Sequence, residues 1–300
     1  MQKTDTTVHT SSIGAPTLFE RLHARGINPN KMAIYAMLIT FLIMTFFVLV
    51  IMFSMSLRPT ALIYVDFWGL PVPPTFVNYQ QAFGALIGPM LRTIGVAFVS
   101  IVGITALACP ASYALARVKF PGRRLILVLV LALIMIPGPI QLTPNFILAN
   151  ELGLRGSLWG LVVFYIAGGQ AFAIFLITTF FLNLDKEMFE AARIDGASEI
   201  QALLRVAIPL AWPIIMTVAI LNFLSMYSDL IWPSLMLPRS EQTLMIALQN
   251  FDQQIGEFDA RPDLGIRAAG YSIAVIPQLF LFVFAMKYFI QGLTSGAVKG

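Results

Sequence analysis

The stretch Glu190-Ala191-Ala192-Arg193-Ile194-Asp195-Gly196-Ala197-Ser198, followed by Ile208-Pro209-Leu210 and Pro213, decides how the rest of this chain is read. It is a charged, amphipathic segment set between two long apolar ones. Asp185 to Arg193 has the spacing of a short helix, with Met188, Phe189 and Ala192 on one face and Glu187 and Glu190 elsewhere on its surface. Asp195-Gly196 is a helix stop, because glycine readily takes the left-handed conformation just past a helix end. Ser198 can then cap a second short helix that runs on into apolar sequence, where Pro209 interrupts the backbone. Two short helices joined at a glycine, with small alanines on their surface, suit a groove on another protein.

Working outward, the flanking sequence belongs in a membrane. The 300 residues are 58% hydrophobic and only 11% charged, with a mean hydropathy of +0.82. Soluble domains carry roughly a quarter charged residues, so a polytopic membrane protein is expected. Six charge-free runs approach or exceed the ~20 residues that cross a hydrocarbon core: Met32–Leu57, Thr93–Ala116, Leu125–Asn150, Gly156–Leu184, Val206–Ser228 and Ala268–Met286. A seventh, Phe67–Leu91, holds Pro71, Pro73, Pro74, Gly84, Gly88 and Pro89 with Asn78, Gln80 and Gln81. One straight helix in lipid would leave its backbone unsatisfied, so an extended outer loop leading to a short interfacial helix is expected there. Pro137 and Pro139 should kink the third span, as gating geometry or as local strain.

The basic balance of the chain, with a pI near 9.3, is spread between the apolar runs and does not form a nucleic-acid patch. With the N-terminus inside, inner segments hold 13 of the 19 Lys and Arg residues, including all six lysines. The positive-inside rule then puts both termini and the Asp185–Arg205 loop in the cytoplasm. The largest outer loop, Pro238 to Gly265, is acidic. The polar residues ahead of the first run do not read as a signal peptide. Expected boundaries are a cytoplasmic segment 1–31, a six-helix membrane domain 32–290 with its loop at 185–205, and a cytoplasmic tail 291–300.

Enzymatic chemistry is not encoded in any visible pattern. Cys109 is the only cysteine, and His9 and His23 lack metal-ligand spacing, so no metal site is expected. No Gly-Lys dipeptide occurs, hence no phosphate-cradling P-loop. If ATP drives this protein, another chain binds it.

The Glu190–Ser198 segment closely resembles the EAA loop of ATP-binding-cassette (ABC) importer permeases. The resemblance extends along nearly the whole chain, through Ser56-Leu57-Arg58-Pro59, Asn78-Tyr79, Ala111-x-Tyr113-Ala114-x-Ala116-Arg117, Phe120-Pro121-Gly122, Gly153-Leu154 with Ser157, and Asp229-Leu230-Ile231-Trp232-Pro233. The ending Gly292-Leu293-Thr294-Ser295-Gly296-Ala297-Val298-Lys299-Gly300 is similar to that of the shorter, second permease subunit of maltose-type carbohydrate importers. Ile208 replaces the usual Leu, and Asp185 stands where Pro is common.

The resemblance implies an all-α polytopic protein with the type I importer permease fold and six transmembrane helices. It implies a non-catalytic subunit that binds no cofactor itself, with ATP and Mg on a partner. The implied partners are a second permease subunit in a heterodimer, two ATPase subunits, an extracellular or periplasmic solute-binding protein and membrane lipid, with no nucleic acid. The implied place is the bacterial cytoplasmic (inner) membrane. Coupling to the ATPase would fall to Glu190, Ala191, Ala192, Asp195, Gly196 and Ala197, with Gly296, Lys299 and Gly300 of the tail reaching it as well. The expected cargo is a sugar or oligosaccharide. Alternatives are a glycerol phosphate ester or, in another class, an ion-coupled secondary transporter, which predicts midplane carboxylates or histidines and an inverted repeat.

Polar residues within the apolar runs are the candidates for the translocation path: Gln170, Asn222, Tyr227, Ser228 and Asp229. Two readings stand for the amides, including Gln141, Asn145 and Gln278: hydrogen bonding to solute hydroxyls, or helix-to-helix glue. Asp229 is expected near the outer surface, as a local cap or as a solute contact, beside Trp232 in an interfacial aromatic belt.

Overall fold

The computed structural model describes residues 29–256 and 263–297. All regular structure among them is helical, with no strand. Helix α1, Pro29–Ser56, belongs up to Met52 to one compact unit, and the residues from Phe53 on form a second. In α1 the apolar side chains are exposed around the whole circumference, from Met32 to Val50. Its Thr40 and Thr45 hydroxyls fold back onto the carbonyls of Ala36 and Phe41, at 2.8 and 2.9 Å. Such internal pairing is what a helix surrounded by hydrocarbon requires.

The second unit runs through α2 (Thr60–Val65), α3 (Val77–Arg117), α4 (Arg123–Met135), α5 (Gly138–Glu151), α6 (Leu158–Asn183), α7 (Lys186–Ile194), α8 (Glu199–Ala202), α9 (Trp212–Tyr227), α10 (Ile231–Met236), α11 (Leu244–Gly256) and α12 (Leu264–Ala297). Between α8 and α9 lie a π-helical turn, Leu203–Ala207, and a single turn, Ile208–Leu210. Among the described residues four helices, α1, α3, α6 and α12, are long and apolar enough to cross a membrane. Two bent pairs complete six spans: α4 with α5, bent by 100°, and the stretch Glu199–Leu210 with α9, bent by 73°. The first bend falls at the expected Pro137. The second falls at Ala211, two residues past Pro209, where Pro213 in the first turn of α9 supplies no amide hydrogen to continue the ladder.

Three sequence expectations need correction. The Phe67–Leu91 run is extended only to Phe76; α3 begins at Val77 and continues unbroken through Pro89 and Pro110. Its 41 residues span ~60 Å at 1.5 Å per residue, about twice a hydrocarbon core. Its first turns, where Gln80 and Gln81 are exposed, therefore need not lie in lipid, and isolated prolines cost single hydrogen bonds without ending the helix. The outer segment Pro238–Gly265 is not simply a loop. It contains α11, whose Leu244, Ala247 and Leu248 are buried against Leu86, Tyr227 and Ala274. Residues 257–262 of that segment lie outside the described residues. Finally, Trp232 is not in a surface belt. It is buried against Phe164, with ring centroids 5.1 Å apart, because the turn at Asp229 directs α10 back onto α6.

The centre of the unit is the packing of α3 on α6, with α9 and α12 closing around α3. Close approach depends on missing side chains. A Cβ at Gly169 would strike Ile104, and one at Gly103 would strike Ile166, so each glycine admits a branched side chain of the facing helix. The N-terminal end of α3 is tied down by polar contacts. Asn78 donates to the carbonyls of Ser56 and Arg58 at 3.0 and 2.9 Å, and the buried Arg58 guanidinium donates to the carbonyls of Leu62, Asp66 and Phe67. Further along, Thr93 Oγ1 accepts the Leu244 amide at 2.8 Å, capping the start of α11.

Candidate functional site

The segment Asp185–Arg205 folds as two short helices about a glycine. Asp195 ends α7, and Gly196 follows with φ +80°. The Ala197 amide donates to Ala192 O at 2.9 Å and the Gly196 amide to Arg193 O at 3.0 Å. This is a Schellman closure, which spends the orphan carbonyls of the helix end. Ser198 then starts α8 with a capping box: its Oγ accepts the Gln201 amide at 3.3 Å, and Gln201 Oε1 accepts the Ser198 amide at 2.9 Å. The turn is thus specified entirely by its own residues.

Its two faces differ sharply. Outward, Glu190, Ala191, Asp195 and Gly196 are exposed, while Ala192 and Ala197 are half-buried. Beside them two apolar side chains have no cover: Ile194 is 86% exposed and Ile200 is 70% exposed. Inward, Phe189 is only 2% exposed. Its ring centroid lies 6.1 Å from that of Tyr113, and Tyr113 meets Phe181 edge-on at 6.2 Å. The Arg117 guanidinium sits 4.3 Å above the Phe189 ring.

Arg117 also donates to the carbonyls of Phe181 and Leu184 at 2.5 and 2.7 Å, satisfying the C-terminal end of α6. Tyr113 OH donates to Glu199 Oε2 at 2.8 Å, and Glu199 Oε1 accepts from Arg193 at 2.9 Å. These contacts join α3, α6, α7 and α8 in one cluster. Sequence reasoning quoted Tyr113 and Arg117 only as part of a resemblance and did not single out Glu199. The available signal was an aromatic and an arginine four residues apart at the end of a long apolar helix, with one phenylalanine in an otherwise charged partner.

The path candidates divide into groups. Asn222 donates to Val218 O, one turn back in its own helix, at 2.9 Å, and its Oδ1 faces Gly169. Gln170 reaches Ile104 O at 3.5 Å, a long contact. Ser228 is exposed and accepts from Gln278 of α12 at 3.0 Å. Tyr227 is buried, stacks on Phe223 and donates to Ala274 O at 2.9 Å, which makes it a brace between α9 and α12. Asp229 Oδ2 accepts from Tyr165 OH at 2.8 Å, and Oδ1 caps the Ile231 and Trp232 amides of α10. Gln141 donates to Ile136 O at 3.3 Å across the α4–α5 bend. Of the tail candidates, Gly296 lies in the last turn of α12, and Lys299 and Gly300 lie outside the described residues.

Helices long and apolar enough to cross a membrane, packed around α3 and α6 and carrying a two-helix turn, define a multi-pass membrane protein. The family described as "Binding-protein-dependent transport system inner membrane component" matches residues 108–295, from the last turns of α3 into the last turn of α12. The chain belongs to this family, the multi-pass membrane components of ABC importers. It is 34% identical over 251 residues to the trehalose transport system permease protein SugB of Mycobacterium tuberculosis, covering 83% of this chain and 90% of that protein. To the maltose/maltodextrin transport system permease protein MalG of Escherichia coli it is 30% identical, over 78% of this chain and 81% of that one. The fold is also that of a crystal structure of a bacterial ABC transporter involved in import of the acidic polysaccharide alginate, with a TM-score of 0.76 at 22% identity, covering 92% of this chain and 100% of that one.

Proposed function

We propose that this chain is one of two permease subunits forming the path of a sugar or oligosaccharide importer. The segment Asp185–Arg205 docks into a separate ATPase that binds ATP and Mg. The observation that carries the coupling role is the turn itself: Gly196 at φ +80° presents Ile194 and Ile200 bare to solvent, while Phe189 ties the same turn to the bundle. Apolar side chains exposed beside a charged turn give a partner surface to bury. Glu190 supplies a charge for a basic residue of the receiving cleft, and Ala191, Ala192 and Ala197 permit close approach. The tail residues Gly296, Lys299 and Gly300 add a second contact on the same side. By the positive-inside argument both termini and the coupling segment face the cytoplasm.

Sugar as cargo is supported by relatives whose names carry trehalose and maltose/maltodextrin transport. For the path we assign Gln170, Asn222, Ser228 and Asp229, with Tyr227 bracing the wall. The first three carry amide or hydroxyl groups that exchange with the hydration of a polyol. On the outer side, α11 and the segment 58–82 receive a solute-loaded binding protein.

The test is reconstitution of the permease pair with its ATPase and binding protein in liposomes. ATP hydrolysis should rise with binding protein loaded with trehalose or a maltodextrin, and the ATPase should co-purify with this chain. A complex that forms without the ATPase, or uptake driven by a proton or sodium gradient without ATP, overturns the reading.

A further inference from the structure

The coupling segment is attached to the bundle in two unlike ways. Toward α3 and α6 the attachment is made of side chains. Phe189 is enclosed by Tyr113, Phe181 and the Arg117 guanidinium. Arg117 bridges to Phe181 O and Leu184 O at the end of α6, and Tyr113 OH reaches Glu199 in α8, the far arm of the turn. Both arms of the turn are therefore held by residues four apart on one helix. Toward α9 the chain runs through the π-helical turn Leu203–Ala207, then Pro209, then the 73° bend at Ala211. The buried side chains there, Ala202, Ala207 and Ala211, are single methyl groups, and the half-buried Leu203, Val206 and Ile208 pack beside them by apolar contact. π turns and prolines are where helices bend.

We propose that Tyr113 and Arg117 are positioning residues that lock the coupling segment to α3 and α6 by directed side-chain bonds, so that its displacement reaches α9 through the π turn and the bend at Ala211. This rests on the assignment of Asp185–Arg205 as the ATPase-coupling segment. In consequence the closing of the ATPase moves α3 and α6 directly and α9 by hinge motion. The Glu199 carboxylate matters here for the hydroxyl that it accepts, more than for its exposed pair with Arg193, since exposed pairs hold little. Arg117 is required as arginine: a lysine carries the charge but lacks the planar fork that serves two carbonyls and lies flat on a ring.

The experiment uses the complete complex in liposomes and reads uptake per ATP hydrolysed. Tyr113→Phe removes one hydroxyl and nothing of the ring, so packing survives. It should lower that ratio between about twofold and thirtyfold, the range by which changes within coupling networks act. Glu199→Ala should do the same, and the double variant should be no worse than Glu199→Ala alone, because both break the Tyr113–Glu199 bond and the exposed Arg193 pair adds little. Additive losses, or an unchanged ratio in Tyr113→Phe, overturn the proposal. Arg117→Lys should recover assembly lost in Arg117→Ala yet keep the low ratio; full recovery counts against the fork.

Spin-label pairs give a readout that folding defects do not move. Lys119 to Ile194 should keep its distance between resting and nucleotide-trapped states, while Ile194 to Ser225 should change. The reverse result places the rigid joint at α9 and refutes the assignment. The parent reading fails separately, when Gly196→Val and Glu190→Lys leave ATPase association and stimulated hydrolysis intact.

Discussion

Substitution of Gly196 tests the geometry of the coupling turn with little interference from packing. At φ +80° the residue occupies the left-handed region, yet a Cβ built there finds no heavy atom within 4 Å. Whatever a side chain costs at this position is therefore paid in the backbone and not in collision. For an ordinary residue that cost is about 1–2 kcal/mol, and a β-branched one is a clear outlier there. Relief by rotation to negative φ would break the Ala197–Ala192 and Gly196–Arg193 bonds of the closure, each worth about 0.5–1.5 kcal/mol. A loss of 1–2 kcal/mol lowers the population of the formed turn by roughly 5- to 30-fold.

The series Gly196→Asn, Gly196→Ala, Gly196→Val should then rank from mildest to worst, since asparagine tolerates the left-handed region best among the three. The assay is uptake together with hydrolysis stimulated by the loaded binding protein, with membrane insertion checked by the amount of permease recovered. Full uptake in Gly196→Val refutes the reasoning. So does a Gly196→Asn variant as damaged as Gly196→Val, because the effect would then not be conformational.

Other expectations follow from the same contacts. Phe189→Ala empties the slot between Tyr113, Phe181 and Arg117 and should cost about 3–5 kcal/mol of local docking, visible as proteolysis near Arg193 in the isolated permease. Asn222→Leu should slow uptake while leaving assembly unchanged, because the amide bonds only within its own helix; unaltered uptake kinetics remove it from the path. Asp229→Ala uncaps α10 and strands Tyr165 OH, for a loss of about 0.5–2 kcal/mol read as a lower melting temperature in detergent. A cysteine at the exposed Gln249 of α11, in a Cys109→Ala background, should crosslink to the binding protein; yield no better than from a cysteine at Lys119 rejects that contact.

Much of the fold was legible because hydropathy acts over whole helices. Each apolar run became a span or a bent pair of helices, and the breaks fell at or beside the prolines. The misreadings came from treating prolines and polar residues as if the entire run lay in lipid. Val77–Leu91 is rich in both, yet an outer stretch of helix that water or other polar groups can reach tolerates them, and Asn78 uses its amide to hold the preceding loop. In α11 the charged residues of the segment 238–265 obscured Leu244, Ala247 and Leu248, whose spacing places one apolar face on the bundle. Trp232 looked interfacial by residue type, but Asp229 turns the chain and packs it on Phe164.

The candidate site was legible in its local half only. Gly196, Ser198 and Gln201 build their turn from contacts within a few residues, so spacing alone exposes it. The anchoring half joins residues far apart in sequence: Tyr113 to Glu199, separated by 86 positions, and Arg117 to Phe181 and Leu184, separated by 64 and 67. No periodicity relates such positions. They meet because α3 and α6 pack closely at Gly103 and Gly169, which brings the C-terminal ends of both helices under the same turn. The small residues that allow the approach thereby decide where the Asp185–Arg205 segment is held, although none of them touches it.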